Sequence, residues 1–135
     1  MIRGFFVGES PFVRVRVRVL GLSTRDAAVD MLVDTGSHVT VLQYSVLESL
    51  EVGPEVVHAL SRDRSRGFGG QSDLAVLHAR LAFDNDDGIF RLRATAALAP
   101  DPNGDLPNVL GMDFMAPFRL TVSRNENLVE LRPMF

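Results

Sequence analysis

Val13-Arg14-Val15-Arg16-Val17-Arg18-Val19 alternates apolar and charged residues without a break. Successive side chains of a β-strand point to opposite faces, so this stretch predicts a strand with a valine face and an arginine face. Gly21 to Asp26 is a polar turn, and Val29 to Val33 is apolar again. Residues 12–33 therefore read as an antiparallel pair. Further strands are expected at Glu55–Leu60, Asp73–Phe83, Ile89–Leu98, Phe118–Ser123 and Leu128–Arg132. The separators have turn chemistry: Asp84-Asn85-Asp86-Asp87-Gly88, Asp101-Pro102-Asn103-Gly104 and Arg124-Asn125-Glu126-Asn127. Two short helices are expected. Tyr44–Leu50 carries Ser45 and Glu48 at capping-box spacing, and Asp113–Ala116 has Asp113 as its cap. No repeat, linker or low-complexity tract interrupts the pattern. Periodicity alone predicts one all-β domain, a sandwich or a barrel.

The 135 residues suit a single domain over 1–135, with its core at about 12–132. At this length about two thirds of the unfolded surface can be buried, so no disulfide staple is needed. Cysteine is absent, which excludes thiol catalysis and cysteine-based metal sites. All 14 cationic residues are arginine, which excludes a P-loop or Schiff-base lysine. The net charge of −3 gives no general reason to expect nucleic acid. Met1 to Val19 holds no secretory apolar segment, and no apolar run approaches membrane-spanning length. A cytoplasmic protein without membrane association is the expectation.

Three segments invite chemistry. Val33-Asp34-Thr35-Gly36-Ser37 places a carboxylate at the end of a strand, before a tight turn. Gly67-Phe68-Gly69-Gly70 has three glycines in four positions, which suits a hairpin tip and not a strand interior. Asn108-Val109-Leu110-Gly111-Met112-Asp113-Phe114 runs from an apolar strand through glycine into a short helix. Taken singly, each has a plain structural reading.

Together and in this order, they resemble the retropepsin-like aspartic proteases, the single-domain relatives of pepsin found in retroviruses, retrotransposons and cells. In that family a strand ends in Asp-Thr/Ser-Gly-Ala/Ser, a glycine-rich flap follows, and a late apolar-apolar-Gly precedes a short helix. Here these are Asp34-Thr35-Gly36-Ser37, Gly67-Phe68-Gly69-Gly70 and Val109-Leu110-Gly111. The resemblance implies a closed, barrel-like acid-protease fold with one or two short helices. It implies an aspartic endopeptidase whose substrate is a peptide or protein, with no cofactor or metal.

The family's chemistry needs two carboxylates that share one proton, one activating a water and the other polarising the scissile carbonyl. Only one such motif occurs in this chain, so the second Asp34 is expected from another copy in a two-fold homodimer. By the same resemblance, Thr35 would bridge the two loops across the axis. Gly36 would let its N–H approach the carboxylates. Ser37 would donate to the outer oxygen of Asp34 and lower the working pH. Leu110 and Gly111 would support the loop from beneath. Phe68 and Gly69, flanked by Gly67 and Gly70, would form the tip of a flap over substrate. The chain differs from the retroviral pattern in ending with a hairpin, Leu120–Ser123 against Leu128–Leu131, as in cellular members. The competing reading is a catalytically inactive module of the same fold that dimerises and binds peptide.

Other residues have plainer readings. Arg14, Arg16 and Arg18 form a solvated strand face, and Arg62, Arg64 and Arg66 another. His38, His58 and His78 lack zinc-ligand spacing. Asp101, Asn103 and Asp105 begin like a calcium loop. Leu106 stands where such a loop needs glycine and Met112 where it needs glutamate, so the loop is rejected.

Overall fold

The computed structural model describes the backbone of residues 1–67 and 70–135 and the side chains outside 65–72. Strands β1 (Ile2–Arg3), β2 (Phe5–Val7), β3 (Ser10–Val19), β4 (Ala27–Val33) and β5 (Val41–Leu42) lead to helices α1 (Tyr44–Ser49) and α2 (Pro54–Ala59). The chain continues through β6 (Arg62–Gly67), β7 (Gly70–Phe83), β8 (Ile89–Ala96) and β9 (Asn108–Leu110). Helix α3 (Met112–Met115) and strands β10 (Phe118–Ser123) and β11 (Leu128–Pro133) complete it.

The alternation in β3 is realised in full. Val13, Val15, Val17 and Val19 are all 0% exposed, each contributing about 1.5–3 kcal/mol by burial. β3 pairs antiparallel with β4, Val15 opposite Val29, and Gly21 supplies a positive φ of 79° to the turn that joins them. The larger sheet runs β2-β3-β4-β9-β5-β8-β7-β6. Because β3 also pairs with β7, the six strands from β3 through β4, β9, β5 and β8 to β7 close into a barrel. Leu42, Leu47, Leu81, Leu110, Met31 and Met115 fill its interior with the valines. Phe83, Phe90, Phe114 and Phe118 pack at one end, with ring centroids 5.0–5.9 Å apart. A second sheet, β1-β11-β10, holds the expected C-terminal hairpin, with Leu120 opposite Leu131 and Ser123 opposite Leu128.

Four local expectations are corrected. Residues 55–60 are not a strand, since helix α2 occupies Pro54–Ala59. Pro54 sits in its first turn, where a missing N–H costs nothing. Val57 and Leu60, three residues apart, face the core while Val56 is exposed, a helical and not an alternating pattern. Three short helices therefore occur among the described residues, one more than expected. Ser45 does not cap α1. Gln43 holds the cap position without a side-chain bond, and its amide donates to the Pro107 carbonyl instead, at 3.0 Å. Asp113 does not cap α3. Gly111 stands there, and the Asp113 carboxylate is turned toward Thr40. Finally, β7 begins at Gly70 and not at Asp73.

The rejected calcium loop has its own local explanation. The Asp101 carboxylate accepts N–H bonds from Asp105 at 2.7 Å, Leu106 at 3.0 Å and Asn103 at 3.4 Å. The backbone N–H of Leu106, with those of its neighbours, holds this carboxyl below its ordinary pKa. Asp101 organises its own turn.

Candidate active site

β4 and β9 run parallel, with Leu32 beside Val109 and Val33 beside Leu110. β5 lies on the other side of β9, Val41 opposite Val109. The chain leaving β4 at Val33 must therefore cross over the end of β9 before entering β5. Residues 34–40 make that crossing, and they contain the Asp-Thr-Gly-Ser motif.

The crossing is tight. A Cβ on Gly111 would lie 2.5 Å from both the carbonyl carbon and oxygen of Val39, and 3.0 Å from the Ser37 oxygen. Only glycine lets the chain from β9 pass so close beneath the loop. The approach lets the Met112 N–H donate to Ser37 O at 2.8 Å and the Asp113 N–H to His38 O at 3.1 Å. Leu110 is buried, and its carbonyl accepts the Asp34 N–H at 3.2 Å.

Thr40 closes the loop at its far end and is 0% exposed. Its Oγ1 donates to Asp113 Oδ1 at 2.7 Å and accepts the Gly111 N–H at 3.1 Å. Its own N–H donates to Asp113 Oδ2 at 2.9 Å. Its carbonyl accepts both the N–H and the hydroxyl of Thr95 on β8, at 3.0 and 2.8 Å. One threonine thus ties the loop to β8, β9 and α3. Thr40 was absent from the sequence reading. Its place three residues after the motif, at the end of an apolar-flanked turn, was the available signal, although a threonine there also suits any strand start.

Asp34 is half-buried, and its Oδ1 accepts the Gly36 N–H at 2.9 Å. Its carbonyl accepts the Ser37 N–H at 3.2 Å, which turns the chain. Oδ2 makes no hydrogen bond among the described residues and is free to meet a reacting group. Thr35 and Gly36 are exposed at the apex of the loop. Ser37 departs from expectation. Its hydroxyl donates to the Val39 carbonyl at 2.7 Å and not to Asp34, because the turn brings that carbonyl within reach first. The lower working pH inferred from Ser37 loses its basis.

The arms of the glycine-rich hairpin are β6 and β7. Their register runs from Arg62 opposite Ala75 to Gly67 opposite Gly70. Gly67 and Gly70 thus face each other at the end of the ladder, while Phe68 and Gly69 lie outside the described residues. A cavity of about 180 Å³ separates the hairpin base from the loop. Gly36 to Val39 form one wall, and Asp63, Arg64 and Leu74 the other. The order along the chain thus becomes an arrangement in space. Asp34 sits on a clamped loop, Gly111 threads beneath it, and the hairpin arms rise from the opposite side of a cleft. Among the described residues no group of three or more His, Cys, Asp and Glu could hold a metal ion.

Comparison with known proteins is consistent with this geometry. Residues 15–114 match the family model described as aspartyl protease. The fold is similar to that of a retropepsin-like aspartic protease from Rickettsia conorii. That match has a TM-score of 0.64 at 17% identity, covering 97% of this chain and 88% of the other. The protease of EIAV, solved with the inhibitor HBY-793, also matches. Its TM-score is 0.49 at 17% identity, over 83% of this chain and 90% of the other. No curated protein sequence matches. The family model spans most of the barrel and both segments that form the loop crossing, and on that ground the chain belongs to the aspartyl protease family, with a retropepsin-like fold.

Proposed function

We propose that the protein is a homodimeric aspartic endopeptidase whose catalytic pair is Asp34 from each of two copies. The observation that carries this reading is the half-buried Asp34, with Oδ2 unbonded, on a loop whose apex residues Thr35 and Gly36 are exposed. A two-fold axis beside that apex sets the motif opposite itself. Two carboxylates so placed share one proton, since both cannot readily ionise at close range.

In the reaction, the ionised Asp34 takes a proton from a water whose oxygen attacks the scissile carbonyl carbon. The protonated Asp34 gives its proton to the carbonyl oxygen. Collapse of the resulting gem-diol breaks the C–N bond. One hydroxyl gives its proton to the ionised Asp34 while the leaving amine takes the proton of the other Asp34, which restores the singly protonated pair. Thr35 spans the axis, Gly36 holds Oδ1 through its N–H, and Leu110 and Gly111 fix the loop from below. The β6–β7 hairpin acts as the flap that covers the substrate. The whole chain, 1–135, works as one domain, and it works in the cytoplasm.

Asp34→Asn keeps the side chain's shape but removes the ionisable group. Peptide-library cleavage should fall to background while the dimer measured by light scattering persists. Retained cleavage by this variant would refute the assignment. A wild-type dimer that binds peptide without turnover would instead favour the inactive module.

A further inference from the structure

The outer face of the barrel carries an unusual concentration of one charge. Because Val13, Val15, Val17 and Val19 point inward, Arg14, Arg16 and Arg18 point outward from β3. The register then places arginines side by side. Arg18 is directly opposite Arg80 of β7, and Arg80 is directly opposite Arg91 of β8. Arg93 stands next along β8, opposite His78. Like charges directly opposite on adjacent strands are destabilising, so this row works against the sheet that carries it.

Carboxylates relieve it only in part. Asp30 takes Arg14 at 2.8 Å. Asp26 takes Arg18 at 2.9 Å and Arg80 at 4.0 Å, and Asp63 takes Arg93 at 3.4 Å. Arg16 and Arg91 are exposed and have no carboxylate in ion-pairing distance among the described residues. The face therefore holds six arginines against three paired aspartates, with Asp84 near Arg14 at its edge, on a chain of net charge −3. It is a positive field on a negative molecule, which concentrates anionic partners.

We propose that this β4–β3–β7–β8 face is a docking surface for an acidic, extended polypeptide segment. Adjacent strands lie about 4.8 Å apart, so the row Arg18–Arg80–Arg91 spans about 10 Å. In an extended peptide, alternate side chains recur about every 6.7 Å on one face, a spacing that flexible arginines can follow. The guanidinium fork pairs carboxylates bidentately. A polynucleotide fits less well. The remaining outward positions are Phe12, Ala28, Leu32, His78, Ala82 and Ile89. The one aromatic among them, Phe12, is already stacked on Phe5 at the opposite end of β3 from the Arg18–Arg80–Arg91 row, so no ring lies within that row for a base to stack on. Asp26 and Asp30 also interrupt any continuous phosphate track.

The test is fluorescence anisotropy at low salt with a labelled Glu-Ser repeat peptide about twelve residues long. The wild-type protein should bind it saturably, and a Gln-Ser repeat should not bind. Arg16→Gln with Arg91→Gln should weaken binding at least about tenfold without lowering the melting temperature, since both residues are exposed and Arg91 faces Arg80. Arg119→Gln with Arg132→Gln removes the same charge from an arginine pair on the β10–β11 ladder and should change binding less than about twofold. Absence of saturable binding, or equal loss from the two double variants, would overturn the proposal. So would tighter binding of single-stranded DNA than of the peptide. Hydrolysis has no part in the readout, so its failure would leave the catalytic reading untouched.

Discussion

The loop of residues 34–40 and the hairpin arms of β6 and β7 face each other across one cavity, yet they are held by different means. The loop hangs on buried groups. Thr40 is wholly inside, and Gly111 leaves no room for a single added carbon. The charged side chains Arg64, Asp73 and Asp63 of the hairpin pair in water, while Leu74 and Ala75 at its base are buried. Arg64 meets Asp73 at 3.4 Å with 74% and 54% of the two side chains exposed, and Asp63 meets Arg93 at 3.4 Å. Exposed pairs contribute about 0–1 kcal/mol each. An unpaired buried N–H costs about 1–3 kcal/mol. The same cleft therefore has one wall fixed by buried polar groups and one that is anchored only at its base, by Leu74, Ala75 and Arg62, and carries exposed ion pairs above it. That division suits a site in which a carboxylate must keep its place while a cover opens to admit substrate.

The largest effect should come from Gly111→Ala. Its Cβ would collide with backbone atoms of Val39 that cannot yield without moving the loop. A loss of about 3 kcal/mol or more, or no folded protein, is expected by denaturant titration. Wild-type stability would mean the crossing is looser than described. Thr40→Val should cost about 2 kcal/mol, because the buried Gly111 N–H loses its acceptor in a side chain of almost the same shape. A thermal melt lowered by several degrees is the measurement. Arg64→Gln on the opposite wall should shift stability by no more than about 0.5 kcal/mol. A loss from Arg64→Gln as large as that from Thr40→Val would erase the contrast between the walls.

Legibility in the sequence follows the same division. The valine alternation of β3 was readable because burial on one face imposes period two over seven residues. The motif residues Asp34, Gly36 and Gly111 were readable through the family pattern that they resemble, and Gly111 also meets a backbone demand that only glycine satisfies. The two-residue strand β5 was not readable, since it is too short to carry a period and exists because β8 and β9 flank it. Residues 55–60 misled because Val56 and Val57 suit a strand locally, whereas Pro54 and the inward pair Val57 and Leu60 decide for a helix. The partner of Ser37 depends on how its own turn folds, and that of Asp113 on a close approach to Thr40, 73 positions away. Sequence spacing contains no trace of such an approach. The arginine row had the same fate. Arg14, Arg16 and Arg18 looked like one solvated edge until the barrel's closure set Arg80 and Arg91 beside them.

The central claim is that one active site needs Asp34 from two chains. Mixing wild-type protein with Asp34→Asn at constant total concentration, with time for subunits to exchange, tests it directly. If every site takes one Asp34 from each copy, activity should follow the square of the wild-type fraction. An equal mixture should then retain about one quarter of the full rate. A linear fall, with about one half of the rate remaining in the equal mixture, would mean that each chain works alone and would contradict the shared pair.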